Sequence, residues 1–211
     1  MTLTDATVFL LDDEPGMLKA LTRLLKAEGF TVQAFTAAKA FLESYRPETL
    51  GCLVLDVAMP ELNGLELQRR LTRSGVLVPI VFLTGHGDIP MTVQAIKAGA
   101  VDFLTKPVKD TDLLRAVRAA LQRAAEQREL IAEIALLRQR YASLTPRESE
   151  VMAQVVAGLL NKQIAADFGV GEHTIKMHRA RVMQKMGVVA LADLVRAAER
   201  LALAKPVISN Q

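Results

Sequence analysis

The chain has 211 residues, which is enough for two domains that each bury a core of their own. Hydrophobic residues make up 51% of the sequence and aromatic residues only 4%, so aliphatic, helix-rich packing is expected and a β-sandwich is disfavoured. The net charge of +3 comes mostly from residues 141–211, which hold 9 basic and 6 acidic side chains; this excess permits nucleic-acid binding without requiring it.

Disulfide- or zinc-stabilised proteins, secreted proteins and membrane proteins are also disfavoured. A single cysteine, Cys52, excludes an intrachain disulfide framework and a cysteine-based zinc site. The amino terminus has no basic start, and its apolar stretch runs directly into acidic residues, unlike a signal peptide. Because no segment approaches the roughly 18 apolar residues of a membrane span, we expect a cytoplasmic protein with no membrane partner.

Residues 1–120 alternate short apolar runs with helical patterns, which indicates a parallel sheet with helices on both faces. The predicted strands are residues 8–11, 30–35, 52–56, 79–84 and 101–105. Between them, Pro15 is predicted to open the first helix and Gly29 to end it, and residues 37–45 form a second helix. Asn63 and Gly64 lead into a third helix, and Asp88 is predicted to cap a fourth that has Pro90 in its first turn. Five strands and five helices predict a flavodoxin-like α/β fold.

Acidic residues follow two of these strands. Asp12 and Asp13 come directly after the first strand, and Asp56 ends the third. Because the carboxyl ends of parallel strands meet at one edge of the sheet, we expect the three carboxylates to lie together, with Asp56 facing solvent. Crowded carboxylates repel one another and need a cation to remain ionised, and Mg2+ is the natural candidate.

A hydroxyl and an ammonium follow two more strands. Thr84 ends the fourth strand, and Lys106 comes just after the fifth. These groups are suited to hold the oxygens of a phosphoryl group. Together with a carboxylate nucleophile and a metal, they indicate aspartyl-phosphate chemistry.

Residues 6–120 resemble a response-regulator receiver domain. The matching motifs are DDE at 12–14, LDVAMP at 55–60, TGHGD at 84–88 and KP at 106–107. The resemblance implies that Asp56 accepts a phosphoryl group from a histidine kinase. It also implies that Asp13, Asp56 and the backbone carbonyl of Ala58 bind Mg2+, with Asp12 in support. An alanine at position 58 differs from many receivers, which leaves the lifetime of the phosphate open.

The same resemblance implies a switch. Thr84 and Lys106 would contact the phosphoryl group, and Phe103 would reorient with Thr84 to fill the space that Thr84 leaves. It also suggests a cis peptide between Lys106 and Pro107, which would aim the lysine inward.

This motion is expected to change a nearby surface that contains Val93, Lys97 and Asp102. We predict that these residues form a self-complementary patch, with the lysine of one subunit facing the aspartate of the other. The chain would then become a homodimer on phosphorylation.

From Thr111 the helical pattern continues, since neither glycine nor proline occurs until Pro146. One apolar a/d rhythm consists of Leu114, Val117, Leu121 and Ala124, and a second, in shifted register, of Leu130, Ile134, Leu137 and Tyr141. Both a dimeric coiled coil and a single solvated helix fit residues 121–142, the predicted helical linker.

A second domain begins with a capping box formed by Thr145, Pro146 and Glu148. Its first helix is expected to end at Gly158 and to bury Val151, Met152, Val155 and Val156. Asn161 is predicted to cap a short second helix, and a third helix is predicted from Glu172 to Met186 after a glycine turn. This is the spacing of a helix-turn-helix unit.

At 100° per residue the third helix has two faces. The core face holds Ile175, Val182 and Met186, with His178 near its edge and interpreted as structural. The opposite face holds His173, Lys176, Met177, Ala180 and Gln184. This polar, short-sided surface is suited to a major groove. Its flanks hold Arg179, Arg181 and Lys185, within reach of phosphates.

Residues 143–201 are similar to the DNA-binding domain of NarL/FixJ-family regulators, in the stretches LTPRESEVMAQVVAGLLNKQIA and HTIKMHRARVMQKM. By this resemblance Lys176 and Met177 face bases, whereas Thr174 and Arg179 face the DNA backbone. The last helix, predicted from Leu191 to Leu203, carries Leu194, Val195 and Ala198. In this family it commonly supplies a dimer contact. The family usually has a serine cap where this chain has Val170-Gly171-Glu172.

These patterns predict a two-component response regulator and not an enzyme. Its predicted parts are a receiver domain at 1–120, the linker at 121–142 and a helix-turn-helix domain at 143–205. The expected partners are a histidine kinase, double-stranded promoter DNA, a second copy of the chain after phosphorylation, and RNA polymerase.

Two alternatives belong to other classes. A haloacid dehalogenase-type hydrolase also forms an aspartyl phosphate, but it places a D-x-D pair after the first strand, where this chain has adjacent Asp12 and Asp13. A phosphorylation-independent DNA-binding protein would use the receiver only as a dimerisation scaffold. The complete set of acids, Thr84 and Lys106 disfavours this second alternative.

Overall fold

The computed structural model describes residues 6–60, 62–85 and 89–201. They fall into two compact units that divide between Glu129 and Leu130. Over these ranges, no helix is both long and apolar enough to cross a membrane.

The first unit is built on a five-stranded parallel sheet. Its strands are β1 (Thr7–Leu11), β2 (Thr31–Phe35), β3 (Gly51–Asp56), β4 (Ile80–Thr84) and β5 (Asp102–Thr105). Their order in the sheet is β2-β1-β3-β4-β5. From β1 the chain adds β2 on one side and then β3, β4 and β5 on the other, so the topological switch point lies between β1 and β3. A crevice for ligands forms at the carboxyl ends of strands at such a point. Each predicted strand is confirmed, with the same last residue and a first residue one position away.

The helices that begin in this unit are α1 (Pro15–Ala27), α2 (Ala38–Ser44), α3 (Gly64–Arg73), α4 (Ile89–Lys97) and α5 (Asp110–Ala142). Two predicted start signals are confirmed. Pro15 opens α1, and Asn63 caps α3 because its Oδ1 accepts the N–H of Leu65 at 2.8 Å. The predicted cap Asp88 lies outside the described residues.

Alternate strand residues separate two hydrophobic cores, one on each face of the sheet. The first core contains Val8, Leu10, Cys52 and Val54 from the sheet, Leu21 and Leu25 from α1, and Leu113 and Val117 from α5. The second contains Phe9, Leu53, Leu55 and Phe82 from the sheet, Phe41 from α2, Leu67 from α3 and Ala95 from α4. The central strand β3 is therefore buried on both faces, which explains its continuous apolar sequence.

The long helix α5 runs unbroken for 33 residues, as the sequence predicts. Several of its a/d residues are buried in the cores of the chain's own two units. Val117 and Leu121 lie in the core of the first unit, Ala124 is buried, and Leu137 lies in the core of the second unit. An a/d rhythm does not reveal whether the surface it covers belongs to another chain or to the same one. In this protein the buried positions cannot form the seam of a coiled coil.

The second unit contains α6 (Pro146–Val156), α7 (Asn161–Phe168), α8 (Glu172–Met186) and α9 (Leu191–Arg200). Its core includes Val151, Met152, Val155, Ile164, Ile175, Val182, Met186, Leu194 and Ala198. The predicted bounds of α8 are confirmed. The capping box is also confirmed: the N–H of Glu148 donates to Thr145 Oγ1 at 3.3 Å, and the N–H of Thr145 donates to Glu148 Oε2 at 2.9 Å.

The predicted cap of α7 is wrong. Asn161 is the first residue of the helix, and Leu160 precedes it as the cap. The N–H of Leu160 donates to Gln163 Oε1 at 2.8 Å, so the glutamine satisfies the backbone of the cap residue itself. Asn161 instead uses its Oδ1 to accept a hydrogen bond from Arg179 at 3.2 Å.

One packing expectation for the second unit is also corrected. Val156 is only partly buried. In α9, Leu194 and Ala198 are buried in the core of their own unit, and a dimer contact through this helix stays a prediction. This helix ends at Arg200, and the predicted end at Leu203 lies outside the described residues.

Thr145→Ala is expected to lower the free energy of unfolding of the second unit by about 1 kcal/mol, because the N–H of Glu148 loses its acceptor. The pKa of Glu148 is lowered to about 2, first by the hydrogen bond from Lys185 and then by the N–H of Thr145. The stabilisation that Glu148 supplies is therefore complete above its ordinary pKa of 4.5 and is lost as the pH falls toward 2.

Urea unfolding followed by tyrosine fluorescence measures both effects. The chain has 2 tyrosines and no tryptophan, so Tyr141 is the remaining tyrosine in a Tyr45→Phe background and reports on the second unit. Ser149→Ala, inside α6, is the matched control and should change the free energy by less than about 0.5 kcal/mol. Equal losses for Thr145→Ala and Ser149→Ala would contradict the capping role.

Candidate functional site

Three carboxylates gather at the carboxyl ends of β1 and β3. These strands are paired with Leu11 opposite Leu55, so Asp12 and Asp56 leave the sheet side by side. Asp12, Asp13 and Asp56 each offer an oxygen atom within 4.8 Å of the others. Asp12 is fixed by the N–H of Glu14, which donates to its Oδ1 at 2.9 Å.

The burial of Asp56 corrects the expectation that it faces solvent, because its side chain is only 4% exposed. The ammonium of Lys106 covers it from one direction. The start of α3 packs closely against the backbone of Asp56 from another direction. A Cβ atom at Gly64 would lie only 2.4 Å from the backbone carbonyl oxygen of Asp56. Among the three acids, Asp13 is the more open one and is half-buried.

Lys106 joins the carboxylates into one network. Its Nζ lies 2.8 Å from Asp12 Oδ2 and 3.0 Å from Asp56 Oδ1. The backbone holds this lysine in place, since its N–H donates to the carbonyl of Thr84 at 2.7 Å. The predicted cis peptide before Pro107 is confirmed. Burial by itself would lower the pKa of Lys106, but the hydrogen bond to Asp12 and the contact with Asp56 outweigh it, so the pKa is raised.

The charges of this network do not balance. With all four groups ionised, three carboxylates and one ammonium give a net charge of −2. Three oxygens from different side chains are also a suitable ligand set for a hard divalent cation. The described residues therefore fit a metal ion of charge +2 at this position.

Thr84 and Phe103 lie on the two strands beyond β3. Thr84 is buried and follows Leu83, which is paired with Asp56 in the sheet. Phe103 is paired with Phe82, and their ring centroids are 5.9 Å apart. Phe103 is only partly buried and packs against the second core.

The surface of α4 exposes more apolar area than the sequence analysis anticipates. Val93 is 44% exposed and Lys97 is exposed one turn further on. Ile89 and Ile96 are also exposed, at 80% and 44%, and the spacing 89, 93 and 96 could have revealed this face. Asp102 is half-buried, and its Oδ1 accepts the N–H of Phe103 at 2.8 Å. We call these five residues the α4–β5 surface.

In the second unit, α8 has the two faces that its sequence predicts. Ile175, Val182 and Met186 are buried, and His178 is half-buried with its Nδ1 away from solvent. The exposed residues of the helix include His173, Thr174, Lys176, Met177, Ala180, Arg181 and Gln184.

Two of the α8 cations that the family resemblance places against DNA have partners within the unit. Lys176 lies 3.3 Å from Glu172 one turn earlier, an exposed pair that is easily exchanged for another partner. Arg179 is half-buried and donates to Asn161, the first residue of α7. Arg179 therefore also links the two helices of the helix-turn-helix.

Arg147 is a structural residue that sequence reasoning missed. Its guanidinium stacks on the ring of Phe168 at 3.6 Å and donates to the carbonyl of Phe168 at 3.4 Å. It thereby ties the start of α6 to the end of α7, directly before the turn. Phe168 and Arg147 are far apart in sequence, and no local pattern signals the pair.

A parallel α/β unit with acids and a lysine at its switch point, together with a helix-turn-helix unit, defines a response regulator. Residues 8–118 match the response regulator receiver domain, and residues 142–198 match the bacterial regulatory proteins of the luxR family. The chain therefore belongs to the NarL/FixJ family of two-component response regulators. It is a transcription regulator whose DNA-binding unit is controlled by phosphorylation of its receiver.

Similar proteins cover nearly the whole chain. The response regulator protein TodT of Pseudomonas putida is 46% identical over 93% of this chain and 86% of its own length. The transcriptional regulatory protein FixJ of Bradyrhizobium diazoefficiens is 42% identical over 93% of this chain and 96% of its own. A solved structure of the response regulator StyR is 47% identical with a TM-score of 0.80, and it covers 93% of this chain and 99% of that one. This membership argues against the hydrolase alternative.

Proposed function

We propose that Asp56 is the phosphoacceptor and that a histidine kinase is the donor. The observation that carries the proposal is the Lys106 ammonium, which lies against both Asp12 and Asp56 within a cluster of three carboxylates. A fixed cation at the acceptor oxygen is suited to bind a phosphoryl group, which brings roughly two negative charges. Thr84, at the end of the next strand, would hold a phosphoryl oxygen through its hydroxyl.

In the transfer, an oxygen of Asp56 attacks the phosphorus atom, and the bond from phosphorus to the kinase histidine breaks with its electron pair. Lys106 and Thr84 bind the oxygens of the transferred group. Mg2+, held by Asp12, Asp13, Asp56 and the carbonyl of Ala58, would supply further positive charge at those oxygens. We propose no separate enzymatic role for the chain, since its relatives are transcription regulators.

Phosphorylation is proposed to create a homodimer through the α4–β5 surface. Thr84 would move toward the phosphoryl group, and Phe103 would turn into the vacated space. Val93 and Lys97 are exposed on one side of α4, so Lys97 of one subunit can face Asp102 of the other across a two-fold axis. The exposed Ile89 and Ile96 are consistent with an interface here.

The helix α8 is proposed to enter the major groove of DNA. Lys176 and Met177 would contact base edges, and Thr174 and Arg179 would contact the backbone. The further proposed contacts are His173, Ala180 and Arg181. A dimer would present two such helices to half-sites about 10 base pairs apart.

The proposed domain limits are residues 1–120 for the receiver, 121–142 for the helical linker and 143–205 for the DNA-binding domain. RNA polymerase is the further partner that we propose, since regulation of transcription at a promoter brings the two proteins together.

Lys176→Ala is expected to weaken binding to the preferred site by about 1 to 3 kcal/mol and to relax sequence preference, because it removes a base contact. Arg179→Ala is expected to weaken all duplexes similarly and to reduce the salt slope by about one unit, because it removes a phosphate contact. The sites are first selected from a random duplex pool with the phosphorylated wild-type chain, and each variant is then titrated at several salt concentrations.

Arg196→Ala is the matched control, since this arginine is exposed on α9 and pairs with Asp193. It should leave affinity and preference unchanged. If Lys176→Ala and Arg179→Ala both rescaled affinity without changing preference, the proposed orientation of α8 would be wrong.

A further inference from the structure

The end of the long helix α5 contacts the end of α8. Arg140, in the last turn of α5, donates from Nη1 to the carbonyl of Met186 at 3.0 Å. Met186 is the last residue of α8, so this carbonyl has no partner within its own helix. A guanidinium at this position also lies at the negative end of the helix dipole.

Gly187 makes room for this contact. It ends α8 in the left-handed conformation, with φ of 67°. A Cβ atom at this position would lie 2.7 Å from the guanidinium carbon of Arg140. The glycine therefore serves both the turn and the approach of the arginine.

A second cation joins the same two helix ends, but here the donor is on α8 and the acceptor lies at the end of α5. Lys185, in the last turn of α8, donates to the carbonyl of Ser143 at 3.0 Å, just after the end of α5. The same ammonium contacts Glu148 Oε2 at 2.6 Å. We call Arg140, Lys185 and Gly187 the α5–α8 clamp.

The α5 side of the clamp is itself anchored in the second unit. Leu137 is buried in the core of that unit, and Tyr141 packs against the same core. Glu133 forms an ion pair with Arg200 of α9. The last turns of α5 are thus a fixed support for the carboxyl end of α8.

We propose that Arg140 is a positioning residue for DNA recognition, which sets the tilt of α8 through the α5–α8 clamp. This inference rests on the proposed role of α8. Lys176 lies ten residues before Met186, or about 15 Å along the helix. A tilt of about 5° at the clamp would move Lys176 by about 1 Å, which is more than a hydrogen bond to a base edge tolerates. Contacts to phosphates from flexible side chains are less sensitive to such a shift.

The test compares Arg140→Met, which keeps an unbranched aliphatic chain but removes the donors, with Arg138→Met, an exposed arginine on the same helix. The duplex is the one selected from a random pool by the phosphorylated wild-type chain. We expect Arg140→Met to weaken binding to it about tenfold, with less than about a twofold change for a scrambled duplex. Arg138→Met should change both affinities equally, and Arg140→Lys should restore part of the preference.

Amide hydrogen exchange of the full chain tests the clamp without DNA. Arg140→Met should speed exchange in the last turn of α8 and leave β1 and β3 unchanged. Fast exchange with a selective loss of preference supports the proposal. Wild-type exchange, or equal losses on both duplexes, would overturn it. If the wild-type chain selected no sequence, the proposed role of α8 would fail and the positioning role with it, whereas fast exchange would still identify the clamp as structural.

Discussion

Asp56→Asn is expected to abolish the phosphoryl adduct that forms when the chain is incubated with acetyl phosphate and Mg2+. An amide nitrogen replaces one carboxylate oxygen and the negative charge is lost, so no good nucleophile remains beside Lys106. The network would keep its shape, because the carboxamide fits the same space and Lys106 still contacts Asp12 at 2.8 Å. Intact-mass measurement should give the full phosphoryl mass for the wild-type chain and none for the variant.

Asp110→Asn is the matched control, because Asp110 is exposed in the first turn of α5 and lies outside the cluster. It should be phosphorylated like the wild-type chain. Asp13→Asn should slow the reaction with Mg2+ present while leaving Asp56 able to react, since it removes only a proposed metal ligand. A full adduct on Asp56→Asn would place the acceptor at another residue.

The strands and the acid cluster could be predicted because short apolar runs end in polar residues at the edge of the sheet. The runs at Val8 and Cys52 are buried on both faces, which explains why they are continuously apolar up to the acidic residues that end them. The burial of Asp56 could not be predicted, because it depends on Lys106 and Gly64. Those contacts bring the residue after β5 and the start of α3 to the end of β3, and no local pattern in the sequence indicates this.

The helix signals were predictable to different degrees. A capping box such as Thr145 and Glu148 is local and specific, and it was found. Asn161 looks like a cap, but its side chain bonds Arg179 in another helix, which no local pattern indicates. The same limit applies to the a/d rhythm of α5, where Leu121 and Leu137 are buried in the chain's own cores.

Lys97→Glu is expected to weaken dimerisation of the phosphorylated chain at least about tenfold, because it sets like charges against each other across the α4–β5 surface. In the proposed dimer Lys97 faces Asp102 of the other subunit, and a two-fold axis repeats every charge defect. Asp102 already binds its own strand through Oδ1, which fixes the carboxylate in place. The variant should still form the full Asp56 adduct, since Lys97 lies outside the carboxylate cluster. Sedimentation velocity of the phosphorylated chains gives the fraction of dimer.

Charge reversal elsewhere on the first unit provides the control. Arg73→Glu, near the end of α3, makes the same change in net charge on an exposed side chain and should leave dimerisation as in the wild-type chain. The double variant Lys97→Glu/Asp102→Lys restores opposite charges across the axis and should recover dimerisation. Recovery would show that Lys97→Glu weakens the dimer through charge and not through loss of folding. If phosphorylated Lys97→Glu dimerised like the wild-type chain, the contact would lie on another surface, and the exposed apolar residues of α5, Leu130 and Ile131, would be the next to test.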